Sequence, residues 1–218
     1  MNEDVGREAS RGMKASTEKL RGVTRLPTRK MSDAEIVRGL IDSDPRAAAE
    51  LYDRYGGKIN SKVWRLLGAD GEHDDVVHQV FVHIMAGIEK LKNPDSLEDW
   101  IYGITVNTVR REIRRRKYRR ILVPMAEPPE RSEERGGPDQ GLFAKQFYRI
   151  LEGMKADDRI VFVLRFVEGR SLGEVAAAGG YSLSTAKRRL TRAKREFMKK
   201  ASRDRVLSSF IEELEDVG

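Results

Sequence analysis

The sequence predicts an all-α protein with two small helical domains joined by a flexible linker, the second containing a helix-turn-helix. Apolar residues recur every three to four positions in several separate segments, which is the spacing of one helix face. A stretch with four prolines and three glycines among charged residues, 121–141, interrupts these segments. Residues 32–120 show no strand-like alternation of apolar and polar side chains. Helices on both sides of a linker are therefore expected.

Composition divides the chain into five parts. The first part is polar and basic with almost no apolar periodicity, so it cannot bury enough surface to offset the entropy of ordering. The proline-rich stretch should be extended rather than folded. The predicted parts are a disordered leader (1–31), a helical domain (32–120), the linker (121–141), a helix-turn-helix domain (142–202) and a C-terminal helix with an acidic tail (203–218).

The first domain should contain four helices. Ser32 and Glu35 form a capping-box pattern, and Asp44 precedes a proline that suits the first helical position. Acidic residues at 74–75 should open the third helix, because the N-terminus of a helix carries partial positive charge. The long second helix shows its apolar stripe at Leu51, Tyr55, Ile59 and Val63.

The fourth helix is strongly basic, and its charge indicates the kind of partner that the chain binds. Its apolar stripe consists of Tyr102, Val106, Val109 and Ile113. A separate face carries arginines, and the segment ends in a run of further basic residues with only Glu112 as an acidic partner nearby. A solvated charged face is the ordinary interpretation of such a run, but here pairing along the helix cannot neutralise it. This favours a polyanion, and nucleic acid in particular.

The second domain carries the helix-turn-helix signal. Small residues at 176–177 precede a break at Gly179, Gly180 and Tyr181, and a basic amphipathic helix follows from about residue 182 to 200. We expect Asp157 or Asp158 to cap an earlier helix of this domain. Two closely crossing helices, the second presenting polar side chains, are what major-groove recognition requires. An ordinary helical hairpin would show the same periodicity.

The composition and charge of the chain exclude several classes of protein. The 218 residues have a formal net charge of +7 and a pI near 9.6, which suits an anionic partner. There is no cysteine, no apolar run long enough for a membrane span and no secretory signal, which favours a cytoplasmic protein. The three histidines are spaced by five and do not share a helix face, so we expect no metal site. No catalytic constellation is evident, and we expect neither an enzyme nor a cofactor.

Two segments resemble those of a known family. WIYGITVN at 100–107 is similar to the W-L-Y-x-I-A-x-N pattern, and STAKRRLTRAK at 184–194 is similar to G-T-V-K-S-R-L-x-R-A-R. These are patterns of bacterial RNA polymerase sigma factors. In this order, with a linker between them, they make the chain resemble the extracytoplasmic-function (ECF) type of the sigma-70 family over about residues 32–200.

The resemblance implies a function for each domain. The first would dock on core RNA polymerase, and would capture an unstacked base of the −10 promoter element in a loop while a basic face holds the strand. The second would read the −35 element. The implied −10 residues are Lys92, Asn93, Asp95, Ser96, Asn107, Arg110, Arg111 and Arg114. The implied −35 residues are Ser184, Thr185, Lys187, Arg188, Arg189, Thr191 and Arg192. The implied core-binding residues are Asp74, Asp75, His78, Gln79 and Phe81.

The sequence departs from the family pattern at two functional positions. His78 and Gln79 replace a usual Gln-Glu pair in the core-binding helix, and Leu91 or Leu97 stands where the −10 loop often has an aromatic residue. The resemblance also implies an anti-sigma protein as a partner. The alternative is an autonomous helix-turn-helix transcriptional regulator, which would bind its DNA without the polymerase. A metal-dependent nuclease built on the acidic residues near 70–75 is a third class.

Overall fold

The computed structural model describes residues 30–68, 72–122 and 138–207, and within these ranges the chain forms helices and no strand. The all-α prediction is confirmed. None of the described helices is both long and apolar enough to cross a bilayer. The helices are α1 (Asp33–Ile41), α2 (Pro45–Leu67), α3 (His73–Gly87), α4 (Leu97–Leu122), α5 (Pro138–Glu152), α6 (Ala156–Phe162), α7 (Leu172–Gly179) and α8 (Leu183–Ala201).

Three predicted parts lie largely outside the described residues. These are the leader, most of the linker and the acidic tail. The range 121–141, which the sequence assigns to the linker, includes the last residues of α4 and the first of α5. The described residues from Ser32 onward pack together as one compact unit.

Local signals start the first two helices as predicted. The Ser32 side chain accepts a hydrogen bond from the Glu35 amide, and the Glu35 carboxylate accepts one from the Ser32 amide at 2.7 Å. Asp44 accepts from the Arg46 amide at 2.9 Å and precedes Pro45 at the first helical position. Both caps satisfy amides that have no partner within the helix.

The core of the first four helices follows the predicted stripes. Leu51, Tyr55, Ile59 and Val63 are all buried on α2. On α3 the buried positions are Val76, Val80 and Ile84, and on α4 they include Val106, Val109 and Ile113.

The second group of helices packs around aromatic rings. The Phe162 and Phe197 rings stack with centroids 4.6 Å apart, and the Phe147 ring lies 5.4 Å from that of Phe197. Phe162 and Phe197 are completely buried. Such pairs contribute roughly 0.5–1.5 kcal/mol each beyond the area that they bury.

The α6 helix continues into a π-helical turn at Val163–Val167. The amide of Glu168 donates to the carbonyl of Val163, one residue further back than in an α-helix. The Glu168 carboxylate then meets Lys62 of α2 and accepts a hydrogen bond from the Tyr102 hydroxyl of α4 at 2.9 Å.

The two helical groups are therefore in direct contact. Arg159 of α6 donates to the carbonyl of Leu66 at 3.0 Å, and the Tyr148 hydroxyl of α5 donates to the carbonyl of Arg65 at 2.9 Å. These carbonyls belong to the last turn of α2, where no further helical amide can reach them. Side chains of the second group thus complete the end of a helix in the first.

Candidate nucleic-acid interface

The basic helix α4 presents its predicted polar face to solvent. Asn107, Arg111 and Arg114 are exposed, while Val106 and Val109 beside them are buried. Arg110 is different, because only 13% of its side chain is exposed and it donates to the Asn107 side-chain oxygen at 2.9 Å.

The arginines at the C-terminal end of α4 have more acidic partners than the sequence indicated. Arg115 and Arg116 pair with Glu112, and together with Arg119 they also reach Glu72, which precedes α3. Burial raises the pKa of Glu112, but hydrogen bonds from Arg115 and Arg116 outweigh it and the pKa lies below its usual range. The expectation that acidic partners are nearly absent was wrong, because Glu72 is distant in sequence and close in space.

The predicted −10 loop forms a 3-10 turn at Pro94–Ser96 directly before α4. The Asn93 side-chain oxygen accepts from the Asp95 amide at 3.1 Å, and the Ser96 hydroxyl donates to the Asn93 carbonyl at 2.7 Å. Lys92 and Asp95 are exposed. Leu97 is completely buried, so it cannot stack on a melted base.

The helix-turn-helix forms where it was predicted, at α7 and α8. Ser171 and Glu174 form a capping box, and Gly180 takes the left-handed conformation that ends α7. The Tyr181 ring lies so close to Gly179 that a Cβ there would overlap it. This contact explains why glycine precedes the turn.

The recognition helix α8 separates its buried and exposed faces. Ser182 caps it by accepting from the Thr185 amide. Ala186, Ala193 and Phe197 are buried, and Leu190, in the same predicted stripe, is half-buried. Thr185 is half-buried, and the exposed predicted −35 residues are Ser184, Lys187, Arg188 and Thr191.

Asp157 and Asp158 do not cap α6, contrary to the sequence-based expectation. Lys155 is the N-cap residue and makes no side-chain cap hydrogen bond. Asp158 is completely buried and binds Arg192 through two hydrogen bonds of 2.6 and 2.7 Å. Asp157 contacts arginines of α4 and α8. No sequence spacing signals these pairs.

The predicted core-binding residues lie on α3. Asp74, Asp75, His78 and Gln79 are exposed, and the half-buried Phe81 ring packs against that of Tyr52 with centroids 5.2 Å apart. Asp75, His78 and Gln79 line a cleft between α3 and α4.

An apolar strip that the sequence analysis missed runs beside these residues. Val82 and Met85 are each 43% exposed and Tyr52 is 62% exposed. Val82 and Met85 lie four and seven residues after His78, on one helix face. Their partial exposure is visible only in the structure, because the α3 sequence is apolar on more than one side.

The histidines have ordinary polar contacts. His73 Nε2 lies 2.6 Å from the side-chain oxygen of Asn60, and His83 Nδ1 lies 2.9 Å from the Thr108 hydroxyl. Within the described ranges, no cluster of three or more His, Asp or Glu residues has the arrangement of a metal site.

Family models match both halves of the chain. The model described as Sigma-70 region 2 matches residues 51–119, and the model described as Sigma-70, region 4 matches residues 144–197. Together the two ranges span more than half of the chain and contain both basic helices. The chain belongs to the sigma-70 family. It is an ECF-type sigma factor that directs transcription initiation. The matches to both regions favour this function over that of an autonomous regulator.

Two known ECF sigma factors are similar to this chain in sequence. The ECF RNA polymerase sigma-E factor of Escherichia coli K12 is 24% identical over 184 aligned residues, covering 75% of this chain and 91% of that protein. The ECF RNA polymerase sigma factor SigE of Mycolicibacterium smegmatis is 23% identical over 151 residues, covering 67% of this chain and 58% of that one. Sigma factors of this family are initiation factors and not catalysts themselves.

Solved structures share the fold of this sigma factor. CnrH in complex with the cytosolic domain of CnrY has a TM-score of 0.53 and 22% identity, with 79% of this chain and 98% of that chain covered. RpoE of Bartonella quintana in complex with the anti-sigma factor NepR has a TM-score of 0.50 and 20% identity, with 68% and 92% covered. These likenesses agree with two helical domains.

Proposed function

We propose that α1–α4 dock on core RNA polymerase and read the −10 element, while α5–α8 read the −35 element. The observation that carries this proposal is a pair of basic helices, α4 and α8, each buried on one side and polar on the other. Each lies within one of the two matched family regions. The domain limits inferred from the sequence, 32–120 and 142–202, are part of the proposal.

The −10 element would be held by the loop before α4 and by the α4 face. Lys92, Asn93, Asp95 and Ser96 would surround an unstacked base, whose edge short polar side chains and backbone groups can bind. Asn107, Arg110, Arg111 and Arg114 would contact phosphates, which position the strand without reading it. Because Leu97 is buried, stacking on the base would come from another side chain.

The −35 element would be read in the major groove by the first turns of α8. Lys187 and Arg188 can donate to guanine O6 and N7, whereas Ser184, Thr185 and Thr191 suit phosphates or either base. Arg189 and Arg192, which belong to the same predicted set, point toward α6 carboxylates in this structure.

Core polymerase would bind the exposed face of α3. Asp74, Asp75, His78 and Gln79 supply polar contacts, and Phe81 adds apolar surface next to Val82 and Met85. An exposed apolar strip rimmed by charge is typical of a protein–protein interface.

The source of the chemistry, the location of the protein and a further partner follow from this function. The polymerase would supply the chemistry, so the sigma factor needs no catalytic residue and no cofactor of its own. A cytoplasmic location follows, since the promoter and polymerase are there. CnrH and Bartonella RpoE were each solved with a bound partner, RpoE with an anti-sigma factor, and this supports an anti-sigma partner here.

Run-off transcription tests the proposal. Bacterial core polymerase is combined with a pool of promoter fragments, with and without the full chain. We expect transcripts that require the chain, with shared upstream sequences that reveal both elements. The absence of such transcripts, with no co-elution of the chain with core, would contradict the proposal and support the autonomous regulator.

A further inference from the structure

The recognition helix α8 begins with an exposed leucine. Leu183 is the first residue of the helix and is 57% exposed, compared with 44% for Leu142 of α5 and 38% for Val167. Single exposed apolar side chains are common on protein surfaces, so exposure alone assigns no function. The position of Leu183 on α8 is more informative, because the N-terminal residues of a recognition helix are the ones that reach base edges.

Leu183 lies on the border between the buried and the polar faces of α8. At about 100° per residue, it is turned about 60° from the buried Ala186 and about 40°, in the opposite direction, from the exposed Lys187. Residues four positions apart are neighbours on a helix surface, so Leu183 and Lys187 lie side by side. Leu183 therefore belongs to the same surface as the polar side chains of the proposed −35 set.

The hydroxyl groups around Leu183 bond to one another. The Ser182 hydroxyl accepts from the Thr185 amide at 3.2 Å, donates to the Thr185 hydroxyl at 2.9 Å and lies 3.1 Å from the Ser184 hydroxyl. This network caps α8 and fixes the backbone from which Leu183 projects. An apolar contact made by Leu183 leaves all of these hydrogen bonds intact.

The chemistry of the major groove limits what a leucine can recognise there. Base edges present hydrogen-bond donors and acceptors, and the C5 methyl group of thymine is the apolar group among them. A leucine against the N7 atom of a purine would remove that acceptor from water without offering it a donor, which is unfavourable. A thymine methyl group has no such requirement, so it is the base-edge group that Leu183 fits best.

We propose that Leu183 is a specificity-determining residue, whose side chain packs against the C5 methyl group of a thymine in the −35 element. The proposal rests on the proposed function, since it places α8 in the major groove of that element. It adds an apolar contact to a recognition surface whose other proposed members are all polar. The burial of one methyl group should contribute about fourfold to the affinity.

The first test removes the methyl group from the DNA. The full chain is bound to core polymerase, and its affinity is measured for a promoter fragment in which each −35 thymine, on either strand, is replaced singly by deoxyuridine. Deoxyuridine keeps every hydrogen-bonding group of thymine and lacks only the C5 methyl group. We expect binding to weaken about fourfold at one position. If no replacement weakens binding, or if the element has no thymine on either strand, the proposal is overturned.

The second test removes the methyl groups from the protein. Leu183→Ala should bind the thymine element about fourfold more weakly and should no longer distinguish it from the deoxyuridine element. Leu183→Met, which conserves side-chain volume, should still distinguish them. Leu142→Ala makes the same change at an exposed position on α5, and it should bind both elements as the parent does. If Leu183→Ala still distinguishes the two elements, another side chain contacts the methyl group and the proposal is overturned.

Two further outcomes separate this proposal from its alternatives. An equal loss for Leu183→Ala on a fragment whose −35 element is replaced by unrelated sequence would place Leu183 against the polymerase, and would overturn the contact with thymine. If replacing the whole −35 element does not change the affinity of the parent, the proposed function fails and the role of Leu183 fails with it. Dependence on the −35 element without discrimination between thymine and deoxyuridine overturns the role of Leu183 alone.

Discussion

At the residue scale, neighbouring arginines on one helix have opposite environments. Arg188 is exposed on the outer face of α8, whereas Arg189 is mostly covered and pairs with Asp157. One residue of helix turns the side chain by about 100°, enough to move it from solvent to the interface with α6. The type of residue therefore does not decide its function, and its position on the helix does.

Arg188→Ala should weaken binding to one position of the −35 element. If Arg188 reads a base, we expect a loss of about 1–3 kcal/mol for the preferred base there and a relaxed preference among the four. The measurement is the affinity of the sigma factor bound to core polymerase for a set of singly substituted −35 elements.

Arg38→Ala is the matched control for Arg188→Ala. It removes the same side chain from an exposed position on α1, a helix of the first group that lies outside the proposed −35 surface. An equal loss on every sequence for Arg188→Ala would show that this residue contacts phosphate and not a base.

At the element scale, α3 combines a structural role with a proposed binding role. Its buried residues Val76, Val80 and Ile84 pack into the first group of helices, and the strip with Val82 and Met85 remains open. A helix in a monomeric domain needs only one apolar face, so the second one requires an explanation. The proposed docking on core polymerase would provide it.

Val82→Asp should reduce binding to core polymerase with the fold retained. A charge at the centre of an apolar interface loses its hydration on docking, so we expect the affinity to fall by at least about tenfold. Helicity should not change, since Val82 is 43% exposed in the unbound chain. Co-elution with core polymerase and a titration by fluorescence anisotropy provide the measurement.

Leu142→Asp serves as the control, because Leu142 is 44% exposed on α5 and lies outside the proposed core-binding surface. If both variants lose affinity equally, α3 is not the docking element.

At the scale of the whole molecule, the charges that make the chain basic also form ion pairs between separate helices. The net charge is +7, yet several arginines of α4 and α8 have tertiary carboxylate partners. Burial raises the pKa of Asp157, but hydrogen bonds from Tyr181 and Arg114 and the charges of Arg189 and Arg114 outweigh it, so its pKa lies below the usual range. The contact of Asp157 with α4 and α8 is therefore linked to the ionised form of its carboxyl group.

The sign of this linkage predicts a pH dependence. A carboxylate whose pKa is lowered by a contact stabilises that contact fully above the ordinary pKa of about 3.9, and this stabilisation is lost as the pH falls through the lowered pKa. The chain has no cysteine, so Ser61→Cys on α2 and Lys145→Cys on α5 can carry two spin labels. The distance between these labels should stay short from about pH 7 to about pH 5 and lengthen only below about pH 4. The charged and titratable groups that face Asp157 are Arg110, Arg114, Arg189 and Tyr181, and burial raises the pKa of the Tyr181 hydroxyl above its usual value.

The measurement is the spin-label distance across this pH range, with helicity recorded in parallel to separate opening from unfolding. Asp157→Asn should lack the transition. A midpoint near pH 6–7 would assign the opening to a histidine and contradict the prediction.

The sequence by itself determined the helices and most of their faces. The caps at Ser32 and Asp44 and the buried stripe of α2 were readable because capping and periodicity depend on residues within four positions of one another. The exposed faces of α4 and α8 followed from the same spacing, and two short patterns were sufficient to indicate the family.

Only the tertiary structure decided which charges meet. Asp157 or Asp158 was expected to cap a helix, and both instead bind arginines from α4 and α8, up to 47 residues away for Asp157. Glu72 reaches Arg119 across the same kind of separation. An ion pair needs two side chains within a few ångströms, and no local spacing encodes that proximity. It arises when packing brings separate helices together, and for this reason these ion pairs could not be predicted from the chain alone.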